Sequence, residues 1–179
     1  MSSKYATGSV AYSGSTWRRF RPHSPLQWAN VWWPAAVNVA IVATESTDRF
    51  SAANTRHYFY HWFITHVTYL DWESWGLVNF ELRKCGHFLG YGLMGLAFYT
   101  CWRRTLLGHV GEQLARLRRR CALGALMCTF LLASGDEIHQ TFIPSRTGAF
   151  HDVVLDTLGG FFMLTLWFGL HTFFQPEAR

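Results

Sequence analysis

Phe161-Phe162-Met163-Leu164-Thr165-Leu166-Trp167-Phe168-Gly169-Leu170 has no polar face. Wound as a helix, it presents Phe, Leu and Trp around its whole circumference, whereas a helix on the surface of a soluble domain keeps one charged side. Lipid suits such a segment. The competing reading of the same residues is a helix buried on all sides of a soluble core. The run is the middle of an apolar block over 153–174 whose only fixed charge is Asp156. At about 1.5 Å per residue that block reaches across the roughly 30 Å of a bilayer's hydrocarbon.

Three more apolar blocks precede it. The first covers 26–44 and is interrupted by Asn30, Pro34 and Asn38; the second, 87–102, holds no fixed charge; the third is 121–135. The last two are shorter than the roughly 17–25 residues of a spanning helix. Their helices must therefore continue into the flanks, with Arg103, Arg104 and Arg118 to Arg120 snorkelling toward water. Mean hydropathy is only +0.04, because polar residues crowd between the blocks. The expected fold is all-α, a polytopic membrane bundle of about four transmembrane helices at 26–44, 87–102, 121–135 and 153–174. Around this membrane domain, 26–174, the reading places a disordered basic tail over 1–25, an outer segment over 45–86 and a short tail over 175–179. No cleavable signal peptide is expected, since the polar stretch before Leu26 is too long for one.

Charge orients the bundle. With both termini inside, the inner segments carry eleven Lys and Arg against Glu112 and Glu177; the outer segments and span edges carry five basic residues against nine acidic ones. That is the asymmetry of the positive-inside rule. The basic balance follows from topology, so no nucleic-acid partner is expected, and Arg116-Leu117-Arg118-Arg119-Arg120 reads as a stop anchor beside a span. Cys85, Cys101, Cys121 and Cys128 lack metal-ligand spacing and read as small apolar fillers.

Within 45–86, the run His57 to His66 is almost all aromatic and His and suits a helix in the membrane interface. His57 and His61 lie one turn apart, but no third ligand stands at a telling distance, so no metal site is assigned. Asp71 to Trp75 reads as a turn, with a helix expected from about Asn79.

The chemistry-bearing residues gather at span ends on one side. Lys84, His87, Phe88 and Tyr91 follow i, i+3, i+4, i+7 spacing and share a helix face. Asp136 and Gln140 share another, with Glu137 about a quarter-turn away. Pro144 ends that helix or opens the turn after it. Arg146 and Gly148 follow in the loop, and Asp152 and Asp156 lie one turn apart near the start of the last helix, where acids suit the dipole. Gly159 and Gly160 lie beyond them, where another helix can approach closely. Ionisable residues near hydrocarbon mark a site by default.

Lys84-x-x-His87-Phe88-x-x-Tyr91, followed by Asp136-Glu137-x-x-Gln140-x-Phe142-x-Pro144-x-Arg146-x5-Asp152-x3-Asp156-x-x-Gly159, resembles the VanZ-like family of bacterial membrane proteins, over about 32–170. The family takes its name from teicoplanin resistance and has no settled biochemical activity. It usually has Asn where this chain has Asp156, and often Gly where it has Ser145. The resemblance implies a multi-pass protein of the bacterial inner membrane that acts on, or modulates access to, a cell-envelope lipid or lipid-linked glycan; these are its expected partners. The resemblance leaves any cofactor unknown.

Ser145-Arg146-x5-Asp152-x3-Asp156 also has the spacing of the Ser-Arg-x5-His-x3-Asp motif of type-2 phosphatidic acid phosphatases. Here Asp stands in place of the nucleophilic His, and that family's Pro-Ser-Gly-His motif is missing. In a lipid-phosphate hydrolase or transferase of this kind, Asp136, Glu137, His87 and Asp152 are the catalytic candidates, with His87 or Asp152 attacking. Lys84, Tyr91, Gln140, Arg146 and Asp156 are the ligand-binding candidates. The remaining alternative is a salt-bridge network that fixes helix register without turnover.

Overall fold

The computed structural model describes residues 22, 24–106 and 114–174, and every regular element among them is helical. Most of the tail expected to be disordered over 1–25, the middle of the inner loop (107–113) and the C-terminal tail lie outside the described residues, but α1, capped by Ser24, already begins at Pro25, so the tail ends earlier than expected. Five α-helices follow one another: α1 (Pro25–Glu45), α2 (Ala52–His66), α3 (Trp72–Leu106), α4 (Leu114–Gln140) and α5 (Phe150–Phe174), with a 3-10 turn at Asp48–Phe50 between α1 and α2.

Local chemistry sets the boundaries. Ser24 caps α1 by accepting from the Gln27 amide at 3.3 Å, ahead of Pro25 at the first turn, where a missing N–H costs nothing. Ser51 does the same for α2 through the Asn54 amide. The turn expected at 71–75 is instead the first turn of α3. Asp71 Oδ1 accepts from the amides of Glu73 at 3.1 Å and Ser74 at 3.0 Å, an N-cap that starts the helix at Trp72. Hydrogen bonds from Ser74 hold the Asp71 carboxyl below its ordinary range.

Early capping makes α3 a helix of 35 residues, about 52 Å long, well beyond the roughly 30 Å of hydrocarbon. Its C-terminal half is the bundle's centre, packed against α1, α4 and α5. Its N-terminal end stands out and carries α2 alongside. There Trp75 Nε1 donates to the Arg56 carbonyl at 2.9 Å, Arg56 donates to the Trp72 carbonyl at 2.7 Å, and the Tyr60 hydroxyl donates to the Leu70 carbonyl at 3.0 Å.

Side-chain size governs the packing. On α4, Cys121, Ala125, Thr129 and Ala133 form a stripe at i+4 spacing with no exposure, while Leu123, Met127 and Leu131 on another face are each about 60% exposed. Small residues inside and large ones outside are the arrangement of a helix that packs on protein and faces lipid. The α3–α5 crossing is closer still. A Cβ on Gly159 would lie 2.1 Å from the Phe88 carbonyl oxygen, and one on Gly92 would lie 2.6 Å from Met163 Cγ.

Among the described residues two helices, Leu114–Gln140 and Phe150–His171, are long and apolar enough to cross a membrane, yet only 33% and 28% of their most apolar windows are buried. The core helix of a soluble protein would be mostly covered. Phe161, Phe162, Leu166, Trp167 and Leu170, inside the decisive run on α5, all remain exposed. Apolar surface on that scale calls for lipid or protein against it. The architecture is an all-α bundle, and its apolar exterior is that of a membrane protein.

Candidate functional site

The loop 141–149 determines the geometry at one end of the bundle, because it turns α4 back into α5. Glu137, near the end of α4, accepts from the Ala149 amide at 2.8 Å, just before α5 begins. A carboxylate there satisfies one of the free N–H groups of the new helix and complements its dipole. Gly148 permits the fold-back, since a Cβ at that position would lie 2.2 Å from the Glu137 carbonyl oxygen. Arg146 crosses to the other neighbour and donates through Nη2 to the carbonyls of Glu45 at 2.5 Å and Thr47 at 3.1 Å, closing the C-terminus of α1. Ser145 adds a hydrogen bond to Asp48.

These constraints bring the site residues together in three layers. At the rim, Lys84 on α3 pairs with Asp152 on α5, whose carboxylate also lies 3.2 Å from His151 Nε2. One turn deeper, His87 Nδ1 lies 3.6 Å from Asp156. The Gly159–Phe88 contact makes this possible, because it draws the two backbones together one turn below. Asp156 has no exposed surface, and neither of its carboxylate oxygens has a hydrogen-bond partner within the described residues. Deepest, Asp136 Oδ2 accepts from Tyr91 Oη and from Gln140 Nε2, both at 3.1 Å, and Gln140 Nε2 also reaches Glu137 at 3.4 Å.

Lys84, His87, Glu137, Gln140, Arg146, Asp152 and Asp156 line one cavity of about 190 Å³. Tyr91 and Asp136 lie behind it, around a small hollow that also borders His87. All nine residues singled out in the sequence therefore meet at this end, but their engagements differ. Asp152 is held by Lys84 and His151. Asp136 and Glu137 are nearly buried and already accept two hydrogen bonds each. His87 uses only Nδ1 in these contacts.

Arg83 completes the cavity and was not among the nine. Its Nη1 donates to the Phe50 carbonyl at 2.9 Å and lies 3.4 Å from the Thr55 hydroxyl. Its sequence signal is its place one helical turn before His87, beside the face that Lys84 marks. Burial holds both Arg83 and Arg146 below the ordinary guanidinium range, and the proximity of Arg146 lowers Arg83 further. For Arg146, Asp136 and Glu137 oppose that effect. The site thus combines three cationic donors with the engaged carboxylates Asp136, Glu137 and Asp152 and with Asp156, whose oxygens have no hydrogen-bond partner among the described residues. Guanidinium groups in such a cavity suit a phosphate or carboxylate bidentately. Among the described residues, no three His, Cys, Asp or Glu side chains cluster as a metal site, and His57 and His61 instead meet edge to face at 4.7 Å.

Comparison with curated proteins and with solved structures produced no match. The VanZ/LLP1 family model matches residues 25–174, which includes every described helix and every residue of the site. The chain belongs to the VanZ/LLP1 family.

Proposed function

We propose that this protein sits in the bacterial cytoplasmic membrane as a four-span bundle with both termini inside. In this reading its polar cavity opens at the outer leaflet, takes the phosphate-bearing head of an envelope lipid or lipid-linked glycan, and modulates access to it. The observation that carries the reading is the meeting of Arg83, Lys84 and Arg146 in one cavity at the end of an apolar bundle. The excess of Lys and Arg in the segments assigned to the inside supports the orientation. Control of such a precursor at the outer surface also fits the glycopeptide-antibiotic resistance from which the family takes its name.

The test uses the full chain in nonionic micelles, titrated with short-chain phosphatidic acid, a polyprenyl phosphate and diacylglycerol, with tryptophan fluorescence as the readout. Saturable binding of the two phosphates is expected. Arg146→Gln should weaken it about tenfold or more, since each 1.4 kcal/mol of lost charge-assisted hydrogen bonding is a factor of ten. Arg146→Lys, which keeps the charge and loses the fork, should fall between the two. Equal binding of diacylglycerol, or no effect of either variant, sinks the reading.

A second reading, lipid-phosphate hydrolysis, is favoured by the His87–Asp156 pair, an imidazole 3.6 Å from a buried carboxylate beside anion-binding donors. Asp152, the other candidate to attack, is occupied by Lys84. Phosphate release from the same lipids should then fall at least about 100-fold in His87→Gln while binding persists. Binding without release in the wild type rules hydrolysis out.

A further inference from the structure

A second cavity, about 380 Å³, lies beside the polar one, between α2 and the protruding end of α3. It falls within the roughly 300–1,000 Å³ of small-molecule sites. Its walls are aromatic and aliphatic: Phe59, Trp62 and Phe63 from α2 face Trp75 and Leu82 from α3. Arg83, His87 and Arg146 line both cavities. The two hollows therefore share a cationic wall, apolar on one side and polar on the other.

The groove is open. Phe59 and Trp62 are 56% and 57% exposed, although α2 hydrogen-bonds and packs against α3 through Tyr60, Arg56 and Trp75. Its charge is also unbalanced. Neither Arg83 nor Arg146 has a carboxylate within ion-pair distance among the described residues, and Arg146 Nε is buried with no hydrogen-bond partner there. Glu45, exposed near the rim, is the acidic side chain in the lining. Two neighbouring guanidiniums beside an open aromatic slot fit a molecule that joins an anion to hydrocarbon. A free phosphate would leave the slot empty, and a neutral chain would make no use of the two guanidiniums.

We propose that the α2–α3 groove holds a hydrocarbon chain of a phosphate-bearing membrane lipid whose head lies at Arg83 and Arg146. This deepens the headgroup reading above and rests on it for the anion; the location of the chain is new. The aromatic helix α2 then forms one wall of a chain slot that opens toward the membrane surface. Arg83, with His87 and Arg146, joins slot to cavity.

The test is photo-crosslinking of the full chain in nonionic micelles. The probes are phosphatidic acid with a diazirine in mid-chain and diacylglycerol with the same labelled chain; glycerol phosphate serves as a head-only competitor. Labelling by the phosphatidic acid probe should map to residues 59–63 and 75–82 and exceed that by diacylglycerol about tenfold, the factor that corresponds to 1.4 kcal/mol. Phe59→Ala with Trp62→Ala, both exposed and so compatible with folding, should cut groove labelling by a similar factor. The same pair should leave Arg146-dependent competition by glycerol phosphate intact. Arg83→Gln should erase the preference for phosphatidic acid. Labels on the outer face of α5, at Phe161 and Phe162, with phosphate binding retained, overturn the slot and spare the headgroup reading. Equal groove labelling by both probes overturns the pairing of slot with phosphate. A crosslinked dimer joined through α2 makes a second copy the occupant and overturns the lipid. Loss of both labelling and phosphate binding removes both readings.

Discussion

Lys84 reaches Asp152 across the α3–α5 contact, and that pair sets the charge at the mouth of the polar cavity. The two side chains are 25% and 17% exposed, so each is mostly removed from water. Removing one partner strands the other. The cost is about 3–5 kcal/mol where burial is complete and about 1–3 kcal/mol where some water remains. Lys84→Met and Asp152→Leu should each destabilise the protein in that lower range, and the double variant should cost less than the sum of the two. Denaturant unfolding in micelles, arranged as a double-mutant cycle, checks this; strict additivity would mean that the pair does not interact. At this scale the residue types were legible in the sequence, but their assignments were not. Asp152 and Asp156 sit one turn apart on one helix and look alike in the sequence. Only the positions of Lys84 and His87 on α3 give one an ammonium partner and the other a buried place beside an imidazole. Glu137, which reads as an acid–base candidate, spends one oxygen on capping α5.

Among the elements, α3 departs most from expectation. Its apolar block was visible, but its start was not, because Asp71 in a polar stretch serves equally in a turn and in an N-cap. The protruding end that results is what α2 packs against, and it is where Arg83 lies. The α3–α5 crossing, by contrast, rests on residues whose meaning was readable: Gly159 and Gly160 announced a close approach without naming the partner. Gly159→Ala should push the Phe88 backbone away, since no side chain stands there to yield. Overpacking of this kind costs typically about 1–3 kcal/mol. It should also weaken the His87–Asp156 alignment. Gly135→Ala, on α4 with nothing within 4 Å of the added carbon, is the matched control and should be neutral or stabilising by up to about 1 kcal/mol. Thermal unfolding in micelles of the two variants tests the crossing; equal stability would refute it.

For the whole molecule, the exposed apolar faces of α4 and α5 favour lipid over a soluble core, and the charge bias between blocks predicts how the bundle is oriented. A single cysteine in place of Gly111 should react with a membrane-impermeant maleimide only after the membrane is opened, while one in place of the 80% exposed Tyr69 should react in intact cells. The reverse pattern would turn the polar cavity to the cytoplasm. Periodicity, hydropathy and charge along the chain were enough for the helical class, the apolar exterior and the grouping of polar residues at one end, since each of these depends on which residues are near in sequence or face one way on one helix. Which carboxylate meets which cation, the capping of α5 by Glu137, the clamp of Arg146 on α1 and the aromatic groove beside Arg83 all join residues far apart in the chain. They arise from helix crossings held by small side chains and from the fold-back of one loop, and only the packed bundle contains them.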